Sequence, residues 1–169
     1  MNITEFKNTI LPIKNKLFRF ALSINGDRAE AEDVVQEVLI KIWNNRQRLA
    51  QIGNIEAWCM KLTRNQTIDQ LRSKHKRTRQ LDDDFDMRSD EATPYVKTAA
   101  RDRFRQAKAL IDQLPEKMRM VIQLRDIEEM TYKEISAALD MPLNQVKINL
   151  FRARKQVRSK LIKSESYGL

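Results

Sequence analysis

Gln145, Ile148, Asn149 and Arg152 stand so that the later three lie three, four and seven residues after the first, which puts all four on one helix face. Their types suit the floor of a DNA major groove. Gln and Asn can pair bidentately with adenine, Arg with guanine, and an apolar Ile can meet a thymine methyl. Lys147, Arg154, Lys155 and Arg158 flank that face and can reach phosphates. A second group, Trp58, Leu62, Asn65 and Asp69, recurs at steps of four, three and four. Polar groups on such a stripe could read a base drawn out of the stack. They could equally bond neighbouring helices, and the pattern alone favours that. A third group, Asp33, Gln36, Glu37, Ile40 and Trp43, mixes acid and apolar character. Part of it fits a core and the exposed remainder fits a protein partner; periodicity does not separate the two.

Support for turnover chemistry is thin. His75, the only histidine, lies in a basic run without an acid–base partner. Cys59 is the only cysteine, so it can form neither an internal disulfide nor a zinc cluster. No Gly-rich phosphate loop is present, and carboxylate pairs such as Asp82–Asp83 belong to a strap that cannot preorganise a site. The expectation is a binding protein without enzyme activity, metal or cofactor.

The elements that position these groups read as helices throughout. With 3 Gly and 4 Pro in 169 residues there is little punctuation. Ile13, Leu17, Phe20, Ala21 and Ile24 form one apolar stripe, which Gly26 ends. Asp27 and Glu30 read as a capping box for a second helix carrying Val34, Val35, Val38 and Ile42. A third helix starts near Ile55 and runs to about Arg79. Its tail from Arg72 onward has no apolar face and must be solvated or held on phosphate. Cys59 reads as a buried small hydrophobe. Thr93 and Pro94 restart helix, with Val96, Ala100, Ala107, Ile111 and Leu114 as its stripe. Thr131 and Glu134 form a second capping box; Ile135, Ala138 and Leu139 make a short helix; Asp140, Met141 and Pro142 turn the chain. The last helix buries Val146, Leu150, Ala153, Val157 and Leu161. Short helix, tight turn and long basic helix make a helix-turn-helix.

The fold class expected is all-α: two small helical domains, 1–80 and 94–169, joined by a flexible acidic linker over 81–93. The net charge of +9 is divided unevenly: about +7 on residues 1–80, about −4 on 81–100 and about +6 on 101–169. Two basic bodies suit a polyanion partner. One cysteine, no apolar run near about 20 residues and no signal-like N-terminus fit a cytoplasmic protein that does not insert into a membrane.

Three stretches resemble the extracytoplasmic-function sigma factors of the sigma-70 family. Residues 26–43, from Gly26-Asp27 through Gln36-Glu37 to Trp43, resemble that family's polymerase-binding helix. Residues 57–72, from Ala57-Trp58 through Arg64-Asn65 to Leu71-Arg72, resemble its −10 helix. Residues 113–154, from Gln113-Leu114-Pro115 through Tyr132-Lys133-Glu134-Ile135 to Phe151-Arg152-Ala153-Arg154, resemble its −35 helix-turn-helix. The resemblance implies that Asp33, Gln36, Glu37, Ile40 and Trp43 dock on core RNA polymerase. It implies that Asn54, Lys61, Arg64, Asn65, Asp69 and Arg72 serve the −10 element, with 49–54 as a loop that pockets a flipped base. Gln145, Lys147, Ile148, Asn149, Arg152, Arg154 and Lys155 would serve the −35 element. The family has small or polar residues where Ile148 stands. The resemblance further implies promoter DNA and core polymerase as partners, an anti-sigma factor as another, no small-molecule substrate, and a monomer when free whose domains touch little. The rival readings are a dimeric DNA-binding regulator and a nucleic-acid-processing enzyme.

Overall fold

Asn2 and Glu5 open the first helix by exchanging side-chain-to-backbone hydrogen bonds of 2.9 Å each. Helix α1 (Ile3–Ile10) passes through a 3-10 turn, Leu11–Ile13, into α2 (Lys14–Asn25). Pro12 lies in that turn, where its missing N–H costs nothing. Gly26 ends α2 at φ 68°, and its N–H donates to the Leu22 carbonyl. Asp27 then caps α3 (Arg28–Asn44) by accepting from the Glu30 N–H at 3.1 Å. The expected capping box is only half made. Glu30 turns away to an ion pair with Lys74 at 2.8 Å, which ties α3 to α4 (Ile55–Gln80).

The structure, a computed structural model, describes residues 1–80 and 99–166. The acidic linker expected over 81–93, the cap at Thr93–Pro94 and the stripe position Val96 lie outside them. Every regular element among the described residues is helical.

In the first body, α2 contributes Leu17, Phe20, Ala21 and Ile24 to the core, and α3 contributes Ala31, Val34, Val35, Val38 and Ile42. Helix α4 turns Ala57, Met60, Thr63 and Thr67 inward. The two threonines fit there because each hydroxyl donates to the carbonyl four residues earlier. Asn65 and Asp69 are exposed on the other side of α4, so the expectation that they bond neighbouring helices is not met. Cys59 is fully buried, as its apolar setting predicts.

The second body holds α5 (Ala99–Asp112), α6 (Glu116–Ile122), a π-helical turn (Gln123–Ile127), α7 (Tyr132–Leu139) and α8 (Leu143–Ser166). Ile111, Leu114, Val121, Leu124, Ile135, Ala138, Val146, Leu150 and Ala153 form its core. Ala100, expected in the buried stripe, is exposed at the start of α5. Thr131 and Glu134 make the full capping box. Asp140 closes α7 in the left-handed region at φ 50°, a conformation that Asp tolerates.

The two bodies meet, contrary to the expectation of little contact. Helix α4 packs on α7, and α2 packs on α6 and the π-helical turn. Arg19 of α2 reaches across to Glu128 just after that turn. Polar pairs between residues far apart in the chain cross the junction, and the buried apolar residues of both bodies form one cluster.

Candidate nucleic-acid interface

The helix-turn-helix is fixed from its caps outward. The Thr131–Glu134 box starts α7, and Asp140 and Met141 redirect the chain so that α8 presents one long face. Gln145, Lys147, Arg152 and Lys155 are exposed on α8, and Ile148 is 39% exposed. These five are the groups that can meet base edges and phosphates. Asn149 is not among them: it is only 8% exposed. Its Nδ2 donates to the Gln145 carbonyl at 2.9 Å and contacts the Met141 sulfur at 3.8 Å. The Asn149 side chain is thus turned toward the Asp140–Met141 turn and away from the exposed face. Arg154 is also redirected. It grips Asp126 with two nitrogens, Nε at 3.0 Å. That bond holds its guanidinium above its ordinary pKa. One residue was missed in the sequence reading. Phe151 is 68% exposed beside Arg152, one step past the buried Leu150, so a helical wheel would have found it.

The candidates on and before α4 fall into two sets. Asn65, Asp69 and Arg72 are exposed on the helix. Asn54, Lys61 and Arg64 are already engaged. Asn54 caps α4 by accepting from Ala57 N–H at 2.9 Å, while its Nδ2 donates to Glu134 at 3.0 Å. Lys61 pairs with Asp140 at 2.9 Å. Arg64 donates from Nη1 to the Leu139 carbonyl, and its buried Nε has no hydrogen-bond partner. Of the loop expected to pocket a base, 49–54, the first three residues close a 3-10 turn, Arg46–Gln51, in which Leu49 is buried, and the other three lead irregularly into α4.

On α3, Asp33, Gln36, Glu37 and Ile40 are exposed on one face. Trp43 continues that face but is half-buried. The Phe6 ring meets it edge-on, with centroids 5.1 Å apart, and the Arg46 guanidinium lies 4.2 Å from its ring centre. The run from Arg72 to Arg79 is exposed, and Lys74 within it is committed to Glu30. No group of three or more metal-ligating side chains occurs among the described residues.

Residues 11–77 match the family Sigma-70 region 2, and residues 104–157 match Sigma-70, region 4. The ECF RNA polymerase sigma factor SigL of Mycobacterium tuberculosis is 34% identical over 143 residues, covering 84% of this chain and 80% of SigL. The chain belongs to the ECF sigma factors. Sigma factors are transcription-initiation factors. SigE of Mycolicibacterium smegmatis is 32% identical to this sigma factor over 155 residues, covering 90% of this chain but 60% of SigE. The fold has close counterparts. RpoE of Bartonella quintana, solved with the anti-sigma factor NepR, superposes with a TM-score of 0.78 at 22% identity, covering 94% of this chain and 98% of that one. CnrH, solved with the cytosolic domain of CnrY, gives a TM-score of 0.67 at 21% identity, covering 96% and 90%. In this sigma factor the region 2 match takes in α3 and nearly all of α4, and the region 4 match takes in α7 and α8 as far as Val157. Among the described residues no helix is long and apolar enough to cross a membrane.

Proposed function

We propose that this sigma factor docks on core RNA polymerase through Asp33, Gln36, Glu37, Ile40 and Trp43. In the same reading it recognises −35 DNA with α8 and the −10 strand with α4. The observation that carries the reading is the face of α8. A capped short helix and a left-handed turn lead into a helix whose exposed residues include Gln145, Ile148 and Arg152, with Lys147 and Lys155 beside them. Base-edge donors flanked by phosphate-seeking cations are what sequence-specific duplex binding needs. Phe151 joins that face as an apolar neighbour. Asn149 and Arg154 support it from behind by holding the turn and Asp126.

Helix α4 has a different task. Asn65 and Asp69 are exposed polar groups on one face, suited to an unpaired base edge. Arg72, together with Lys61 and Arg64 once these two leave Asp140 and the Leu139 carbonyl, supplies cations for the strand backbone. Opening the duplex then draws on binding energy for the exposed strand, without ATP. An anti-sigma factor is a further partner in this reading, by analogy with the sigma factors solved alongside NepR and CnrY.

Two substitutions test the division of labour on a promoter fragment bound by reconstituted holoenzyme. Arg152→Ala should lower affinity by about 1–3 kcal/mol on a matched −35 site and much less on a scrambled one. Asn65→Ala should leave duplex binding intact but weaken permanganate reactivity around the start site. Equal loss on both duplexes for Arg152→Ala, or full strand opening with Asn65→Ala, would contradict the assignment.

A further inference from the structure

Lys147, Phe151, Arg154 and Arg158 follow one another along α8 by steps of four, three and four, so they share one side of the helix. With Lys155 and Tyr132 they line a hollow beside the exposed Ile148 and Arg152. Among the described residues no carboxylate pairs with Lys147, Lys155 or Arg158, whereas Arg154 meets Asp126. That pairing is two-pronged: Nε donates to Oδ2 at 3.0 Å and Nη2 to Oδ1 at 2.5 Å. The Tyr132 side chain gives the same guanidinium a further partner. Asp126 stands in the π-helical turn, an irregularity often found at functional sites. Both partners stay part exposed, at 43% and 36%. An exposed pair adds little to stability. Its larger effect is on charge. An arginine closed against a carboxylate brings no net positive charge to a phosphate, and salt-dependent affinity grows with the number of phosphates neutralised.

We propose that Asp126 sets the strength of −35 binding by cancelling the charge of Arg154 beside the α8 face, so that the duplex is gripped by fewer phosphate contacts than the cations of α8 offer. The proposal rests on the −35 reading of α8. Asp126 touches no DNA in it and acts through Arg154, as a positioning residue. Phosphate contacts carry no sequence information. A cancelled one therefore lowers affinity for every duplex alike and leaves the choice of bases to Gln145, Ile148 and Arg152. A weaker grip at unchanged association means faster release. In this way α8 selects a site without holding it fast.

The test measures binding of a short −35 duplex, matched or scrambled, by reconstituted holoenzyme across a range of salt. Asp126→Asn removes the charge but keeps an oxygen that can accept from Arg154. It should tighten both duplexes by the same factor. It should also steepen the fall of log affinity with log salt by about 0.9, the mark of one further phosphate neutralised. Its advantage over the wild type should then be roughly 3.5-fold larger at the lower of two salt concentrations about fourfold apart. Adding Arg154→Gln should return the slope to that of the wild type. Glu129→Gln, at an exposed position on the same body, makes the same change in net charge and should leave the slope alone. An unchanged or shallower slope in Asp126→Asn overturns the proposal. So does weaker binding of both duplexes, which a purely structural role for the pair would give. A steeper slope that survives Arg154→Gln, or that Glu129→Gln reproduces, overturns it as well, because total charge and not Arg154 would then be responsible. Equal binding of matched and scrambled duplex by the wild type contradicts the −35 reading instead, while the slope comparison still decides the part played by Asp126.

Discussion

Asn149 shows how burial can set a residue's surroundings against what its type suggests. It lies three residues after Val146 and one before Leu150, so the same period that buries those two carries it inward. Its polar type suggested a base contact, and burial gave it a structural bond instead. Asn149→Ala should therefore lower thermal stability and weaken DNA binding on matched and scrambled −35 sites alike. Loss confined to matched DNA, with an unchanged melting curve, would return it to the reading face. Cys59 was legible, because an apolar helical setting is enough to bury a thiol. Burial first, and Glu56 second, push its pKa from 9.0 up to about 12. The unfolded chain therefore loses the proton first, so stability holds below about pH 9 and falls as pH rises from there toward 12. Iodoacetamide at pH 8 should label Cys59 at the rate of unfolding; fast labelling of the folded chain would show the thiol to be accessible.

At the scale of elements, most of the fold was readable because helices announce themselves by period and by caps. Gly26, the Thr131–Glu134 box and the stripe from Val146 to Val157 all appear where side-chain chemistry requires them. What escaped had no local signal. The π-helical turn over Gln123–Ile127 continues α6 with no Gly, Pro or capping residue to mark it, and Asp27 makes only half a capping box because Lys74, far along the chain, takes Glu30. The α7 cap carries the helix-turn-helix, so Thr131→Ala should cost about 1 kcal/mol of stability, measured by denaturant unfolding. A cost near zero would mean that packing alone holds α7. The Thr131 N–H, and then the Asn54 side chain, hold the Glu134 carboxyl below its usual pKa despite some burial. A lowered carboxylate pKa stabilises above the unfolded value, so this contribution fades as pH falls below the ordinary carboxylate range and is gone below the lowered pKa.

For the whole molecule, the order of the region 2 and region 4 parts could be read from the sequence, but their mutual arrangement could not. Arg19 and Glu128 are 109 residues apart, and no window of periodicity links them. The same holds for Lys61 and Asp140, or Arg64 and Leu139. Charge totals gave two basic bodies, yet local carboxylates on the second body meet local cations on the first. Salt screens the exposed Lys61–Asp140 pair more than Arg19–Glu128, whose carboxylate is buried. The central claim is promoter-directed initiation, and run-off transcription tests it most directly. Purified bacterial core polymerase is given fragmented DNA from the source genome, with and without this chain. The account predicts discrete start sites that appear only when the chain is present and vanish with a Glu37→Ala, Ile40→Ala double substitution. Transcripts that are the same with and without the chain, alongside specific binding of isolated duplex by a dimer, would contradict it.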